Sequence, residues 1–229
     1  MVKILNHKIK KRSVKMDNRT ILSHIDHTLL KPFATWEAID RLCSEAVLNS
    51  TASVCVPPCY VGRIHEKYPD LNICTVIGFP LGYETSEAKV ADTIECLRLG
   101  ASEIDMVINI CEVKNKNFQY VRDEISKIRE ASKGHVLKVI VETCYLTDDE
   151  KKELCHIITE TGADYIKTST GFGDAGATPE DIELFRQETG SNVKIKASGG
   201  IRTAQQAAMY IEMGCARIGA SSVVGDINA

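Results

Sequence analysis

From His24 onward the chain alternates short β-branched, apolar runs with longer segments whose apolar residues recur every three or four positions. The first kind reads as strands and the second as amphipathic helices. Strands are predicted at 25–29, 53–56, 73–79, 103–109, 137–143, 165–170, 193–198 and 217–221. Thr35 is a predicted N-cap for a helix whose apolar positions include Ile39, Leu42, Val47 and Leu48. Pro57-Pro58 stops the second strand ahead of a short helix over 60–68, and the helix over 86–99 closes at Gly100. The next helix covers 118–132, and Thr147-Asp148-Asp149-Glu150 is a capping-box start to one ending at Gly162. Thr178-Pro179 opens another with proline in its first turn, and a last helix covers 203–213. After Ser222 only seven residues remain, which predicts no regular eighth helix.

Strands and helices in this rhythm imply parallel βαβ units. Eight units predict an α/β fold, a single (β/α)8 TIM barrel with a short C-terminal end, whose active site lies at the C-terminal ends of the strands. An open doubly wound sheet is the alternative, and the first strand is followed by no G-x-G-x-x-G of a dinucleotide fold. The barrel domain is expected over 17–229, after a basic N-terminal extension over 1–16.

Composition narrows the function classes. With 44% hydrophobic and 26% charged residues, the chain can bury a large core. It has no apolar run near the roughly 18 residues that cross a membrane. A formal charge of −3 gives no reason to expect nucleic acid. Residues 1–15 nevertheless hold Lys3, Lys8, Lys10, Lys11, Arg12 and Lys15 and no acid, leaving 22 Lys+Arg against 31 Asp+Glu from Met16 onward. Such a segment reads as a disordered tail, with Met16 as the native start. Nine cysteines, an odd number without a secretory signal or a C-x-x-C, read as reduced thiols of a cytoplasmic protein, and a zinc site is not expected.

Three charged residues interrupt the predicted strands: Asp105, Lys167 and Lys196. A lysine inside a buried strand is costly unless it is paired or neutral. If the sixth and seventh strands are neighbours, Lys167 and Lys196 project into one lumen. Two ammonium groups there repel, so one tends to be neutral, and Asp105 offsets the remaining charge and can handle protons. An amine, a cation and a carboxylate together suit imine chemistry. A salt bridge across the barrel is the structural alternative, and it leaves the second lysine unpaired. Lys138, in the fifth strand, is a weaker candidate for the same network. Glycines at three strand ends (Gly171, Gly199-Gly200, and Gly219 ahead of Ser221-Ser222) suggest a phosphate cradle of backbone N–H groups, to which Arg202 can add donors.

Seven motifs in order carry a resemblance from about Ser23 to Ser222: I-D-H-T-L-L-K-P (25–32), T-V-I-G-F-P-L-G (75–82), E-I-D-M-V-I-N (103–109), L-K-V-I-V-E-T (137–143), Y-I-K-T-S-T-G-F (165–172), K-A-S-G-G-I-R (196–202) and G-A-S-S (219–222). The chain resembles the deoxyribose-phosphate aldolases, class I enzymes on a (β/α)8 barrel. The resemblance implies Lys167 as Schiff-base lysine, Lys196 as activating lysine and Asp105 as proton carrier. It implies a substrate-binding set of Asp26, Thr28, Thr170, Gly171, Gly199, Gly200, Ser221 and Ser222, with Asp26 and Thr28 on sugar hydroxyls and the glycines and serines on phosphate. The implied partner is a phosphorylated deoxysugar, with no cofactor, metal, nucleic acid or membrane, and the implied assembly is a homodimer or higher homo-oligomer.

Two positions depart from some family members. Phe172 stands where certain members have a lysine, removing a phosphate cation. Longer members carry a C-terminal tail with a tyrosine implicated in proton transfer, whereas the last aromatic residue of this sequence is Tyr210, which leaves that assistance open. The rival functions are another sugar-phosphate aldolase or isomerase, including a metal-dependent one drawing on His24, Asp26 and His27, and a non-catalytic sugar-phosphate-binding barrel.

Overall fold

A computed structural model describes residues 16–229. The basic extension, up to Lys15, lies outside the described residues. Eight parallel strands close into a barrel in sequence order: β1 (Ile25–Thr28), β2 (Ser53–Val56), β3 (Ile73–Ile77), β4 (Glu103–Val107), β5 (Val136–Ile140), β6 (Tyr165–Lys167), β7 (Lys194–Ser198) and β8 (Arg217–Ala220). β8 pairs with β1, so the sheet has no free edge and the expected (β/α)8 barrel is what forms.

Around it run α1 (Asn18–Leu22), α2 (Trp36–Asn49), α3 (Val61–Lys67), α4 (Ser86–Arg98), α5 (Ile110–Lys114), α6 (Phe118–Ala131), α7 (Asp148–Thr161), α8 (Pro179–Glu188), α9 (Ala204–Glu212) and α10 (Val223–Asn228). The predicted caps form. Thr35 accepts from Ala38 N, and Thr147 and Glu150 make a reciprocal capping box. Gly162 ends α7 at φ +71°, a conformation that costs a side-chain-bearing residue more.

Two expectations need correction. Six of the last seven residues do form a helix: α10 packs beside α9, and Asp226 accepts from Ala204 N at 2.8 Å. Several strands stop short of their predicted ends. β6 ends at Lys167 rather than residue 170: Thr168 N still donates to Lys196 O and Thr168 O still accepts from Thr143 N, but Thr170 N turns to the Glu142 carboxylate.

The strand alternation divides the interior. Outward residues such as Ile104, Met106, Leu137, Val139, Ile166, Ile195 and Ile218 join the large apolar core beneath the helices. Inward residues fill the lumen in two unlike sectors. Cys55, Cys74 and Val76 of β2 and β3 form a small apolar cluster under Leu30 and Phe79. The remaining strands present charge.

A buried ion pair steadies two loops at the C-terminal ends of the strands. Lys89 Nζ donates to Gly82 O (2.6 Å), Val107 O (2.9 Å) and Glu124 Oε1 (2.8 Å), while Glu124 Oε2 accepts from Asn109 N at 3.0 Å. Burial pulls the Lys89 ammonium down and pushes the Glu124 carboxyl up, each partly offset by the other. Lys89 thus holds the loop after β3 and the end of β4, and Glu124 holds the loop after β4.

Candidate active site

Seven charged side chains meet in the lumen: Asp26 of β1, Glu103 and Asp105 of β4, Lys138 of β5, Lys167 of β6, Lys196 of β7 and Arg217 of β8. The register sets Lys167 opposite Lys196 and Asp105 opposite Lys138. Asp105 is the hub. Its Oδ2 accepts from both Lys167 Nζ and Lys196 Nζ at 2.7 Å, and its Oδ1 accepts from Lys138 Nζ at 2.9 Å. Lys196 also bonds Asp26, and Lys138 lies 2.5 Å from Glu103 Oε2. Arg217 closes the ring, binding Asp26 and, at 2.7 Å, Glu103 Oε1.

Gly219 makes room for this packing. A Cβ there would meet Ser198 Cβ at 2.9 Å and the stem of Lys196 at 3.2 Å.

The charges move one another's equilibria. Burial alone raises the Asp105 carboxyl, but the ammoniums of Lys138, Lys167 and Lys196 more than reverse this and hold it well below the ordinary carboxylate range. Asp26 is lowered in the same way, with Lys196, Lys138 and Arg217 overcoming its burial. Conversely, burial pulls Lys196 down, yet Asp105 and Asp26 carry it above the usual lysine value. Lys138 is raised likewise against burial, chiefly by Asp105.

Four basic groups face three carboxylates, so full ionisation leaves one positive charge in excess. Lys138, Lys196 and Arg217 each reach at least two carboxylates. Lys167 reaches one oxygen of Asp105, which it shares with Lys196. Its charge is therefore the least compensated, and it alone of the seven lines the cleft above the lumen.

That cleft is lined by Thr28, Lys31, Lys167, Thr170, Gly171, Gly199, Gly200 and Ser221 among others, on the loops after β1, β6, β7 and β8. Gly199, at φ +83°, lets two loops touch; a Cβ there would sit 2.9 Å from Gly176 Cα. Three predicted binding residues are placed differently from expectation. Asp26 lies beneath the cleft, fully buried, with its oxygens on Lys196 and Arg217, which leaves no lone carboxylate aimed at a sugar hydroxyl. Thr170 lines the cleft but gives its hydroxyl to Glu142. Ser222 stands outside the lining, and its hydroxyl donates to Arg202 O at 3.0 Å. Arg202 does not line the cleft either.

The sequence reading missed Glu103, Arg217 and Glu142. The first two lie at strand starts, where a charge ordinarily reads as solvated, and only barrel closure brings them together. Glu142 sits at φ +54°, a costly conformation for a residue with a side chain, and is 2% exposed. It accepts from Thr170 N at 3.2 Å, and burial raises its carboxyl despite those bonds. It thereby ties the loop after β5 to the loop that follows Lys167.

The metal-dependent alternative loses its donors. His27 faces outward to Glu45, 2.9 Å away, and His24 bonds Thr20 O at 2.8 Å, so neither joins Asp26. Donor atoms of Cys55, Cys74 and Asp105 do lie within 4.8 Å of one another. The Asp105 oxygens there are already compensating three ammoniums, surroundings that oppose a dication.

Comparison with known proteins agrees with this geometry. The sequence model for DeoC/LacD family aldolases matches residues 13–224. The chain is 56% identical over 211 residues to the deoxyribose-phosphate aldolase of Clostridium botulinum strain Alaska E43, covering 92% of this chain and 96% of that one. It is 52% identical over 204 residues to the Clostridioides difficile enzyme of the same name, covering 89% and 93%. A tetrameric deoxyribose phosphate aldolase from Aeropyrum pernix superposes with a TM-score of 0.86 at 32% identity, over 93% of this chain and 91% of that one. With a lysine-rich lumen open to a glycine-lined cleft and a family match over nearly its whole length, the chain belongs to the DeoC/LacD aldolases.

Proposed function

We infer that the chain is a deoxyribose-phosphate aldolase, an aldehyde-lyase that reversibly cleaves 2-deoxy-D-ribose 5-phosphate to D-glyceraldehyde 3-phosphate and acetaldehyde. The observation that carries the mechanism is the single least-compensated lysine, Lys167, at the floor of the cleft. Its free amine adds to the C1 aldehyde and expels water, giving a protonated imine. A base removes the C3 hydroxyl proton, and the C2–C3 bond breaks. The bonding electrons flow into the imine to form an enamine while glyceraldehyde 3-phosphate departs. Protonation of the enamine carbon and hydrolysis then release acetaldehyde and the lysine.

Asp105 is the proton carrier in this reading, acting through water, and it bonds Lys167 directly. Lys196 remains an ammonium and keeps Asp105 from compensating Lys167 alone. Asp26 and Arg217 hold Lys196 in place. No step calls for a metal or cofactor. A neutral deoxysugar is a poorer substrate in this scheme, since the glycine-rich strand ends are there to hold phosphate. Among the described residues no helix is long and apolar enough to cross a membrane. We place the enzyme in the cytoplasm, where its nine thiols stay reduced, as a homodimer or higher homo-oligomer.

Borohydride with acetaldehyde tests the mechanism. Peptide mass spectrometry should find an N-ethyl group on Lys167, and activity should survive EDTA. An adduct on another lysine would sink the assignment.

The phosphate cradle has its own test. Gly200 lies at φ +77° with nothing within 4 Å of an added Cβ, so a side chain there projects into open space at the strained end of β7. Gly200→Val should weaken binding of the phosphorylated sugar by about tenfold or more, about 1.4 kcal/mol, and turnover of unphosphorylated 2-deoxyribose far less. Equal losses on both sugars would mean that Gly200 serves the loop and not the phosphate.

A further inference from the structure

The cleft assigned to the phosphorylated sugar is short of positive charge. Only Lys31 and Lys167 among its lining side chains are cationic, and Lys167 is drawn down onto Asp105, 2.7 Å away. Backbone N–H groups at the glycines can donate to a phosphate but carry no net charge to set against a dianion.

Lys31 is placed to supply it. It follows β1 by three residues, and because β1 pairs with β8 its loop stands beside the end of β8, where Ser221 lines the same cleft. Its Nζ lies 5.7 Å from the centroid of the Phe172 ring. Phe172 is itself fixed: its ring packs edge-on against Phe79 at 5.3 Å, and its N–H donates to Thr170 Oγ1 at 3.0 Å. A cation over an aromatic face gains modest attraction while its protons stay available to a ligand. Among the described residues Lys31 makes no ion pair, so a bound anion displaces no carboxylate. The ring immediately after Gly171 thus serves as a shelf that carries a lysine from the opposite wall to the glycine cradle.

We propose that Lys31 is the phosphate-binding cation of this site and that it sets the preference for phosphorylated over neutral deoxysugars. The proposal rests on the aldolase reading above and adds to it a specificity-determining residue on the β1 loop. Lys31 is exposed, so its attraction is screened by salt in a way that an enclosed pair is not. Its removal has a signature beyond a drop in rate.

The experiment compares the full chain with Lys31→Met and Lys31→Arg, using 2-deoxyribose 5-phosphate and 2-deoxyribose at low and high salt. Lys31→Met should raise KM for the phosphorylated sugar by about tenfold, with kcat much less affected and a far smaller change on the neutral sugar. The rise of KM with salt should flatten in Lys31→Met, and Lys31→Arg should recover most of the affinity because it keeps the charge. Equal losses on both sugars would overturn the proposal and leave Lys31 as a support for the Phe172 ring. No loss on either would also overturn it, since the phosphate charge is then met elsewhere. Borohydride trapping with acetaldehyde, which has no phosphate, separates this outcome from failure of the aldolase reading: that reading fails only if the unsubstituted protein forms no adduct.

Discussion

Lys196→Met is expected to lower retro-aldol turnover at neutral pH by roughly two to four orders of magnitude, with activity returning as the pH rises. The reason is the charge count of the lumen. Four basic groups there share three carboxylates, and deleting one that is firmly paired leaves the numbers equal. Lys167 then has Asp105 Oδ2 to itself, and its ammonium becomes a fully compensated ion. An ordinary lysine, titrating near ~10.4, offers roughly one free amine in a thousand or fewer at pH 7. A pH–rate profile from about 6 to about 10 should show the limb governing imine formation displaced upward. Binding of a phosphorylated inhibitor should persist. A profile that stays in place while the rate falls uniformly would make Lys196 a direct proton donor or substrate contact.

Lys167→Met should abolish the same reaction without that recovery, and without harm to the fold. Loss of a covalent nucleophile that works within a catalytic unit costs roughly 10⁴-fold or more, and raising the pH restores nothing because no amine remains. Stability should hold or rise. The substitution removes the excess cation, keeps most of the apolar stem and leaves three basic groups facing three carboxylates. Removing one partner of a buried pair ordinarily destabilises because the other charge is stranded, but Asp105 keeps the ammoniums of Lys138 and Lys196 when Lys167 is gone. Urea unfolding of the two proteins side by side checks this. A large loss of stability would show that Lys167 is a structural partner of Asp105 first and a nucleophile second.

These predictions depend on features of unequal visibility in the sequence. All eight strands could be read because β-branched runs bounded by glycine and proline are a strong local signal, and the caps at Thr35, Thr147 and Thr178 because capping chemistry is local too. Lys167, Lys196 and Asp105 stood out as charges in strand centres. Glu103 and Arg217 did not, although they are part of the same cluster, since a charge at a strand start is ambiguous until the eighth strand meets the first. Glu142 was legible as a letter in a motif but not as a strained, enclosed carboxylate. That depends on where the chain turns after β5 and on the arrival of Thr170. Asp26 was assigned to the substrate from the resemblance, by its place in the first motif. The barrel's closure claimed it for Lys196 and Arg217, residues 170 and 191 positions away.

The charged sector of the lumen bears on how the chain finds its fold. A parallel barrel whose outward residues are mostly Ile, Val and Leu has little in its apolar pattern to tell a strand from its neighbours. A one-residue slip of β4, β5 or β7 would turn Asp105, Lys138 or Lys196 out beneath the helices, where no opposite charge waits. Glu103 and Arg217 meet across 114 residues of sequence, so the compensation is complete only when the last strand is seated. Misregistered or partly closed barrels are thus penalised by stranded ions, and the closed one gains a sharp energetic gap over its near-misses. The groups proposed to perform the chemistry would then serve as the proofreaders of assembly, and neutralising them in pairs should yield a chain that still collapses but settles less uniquely.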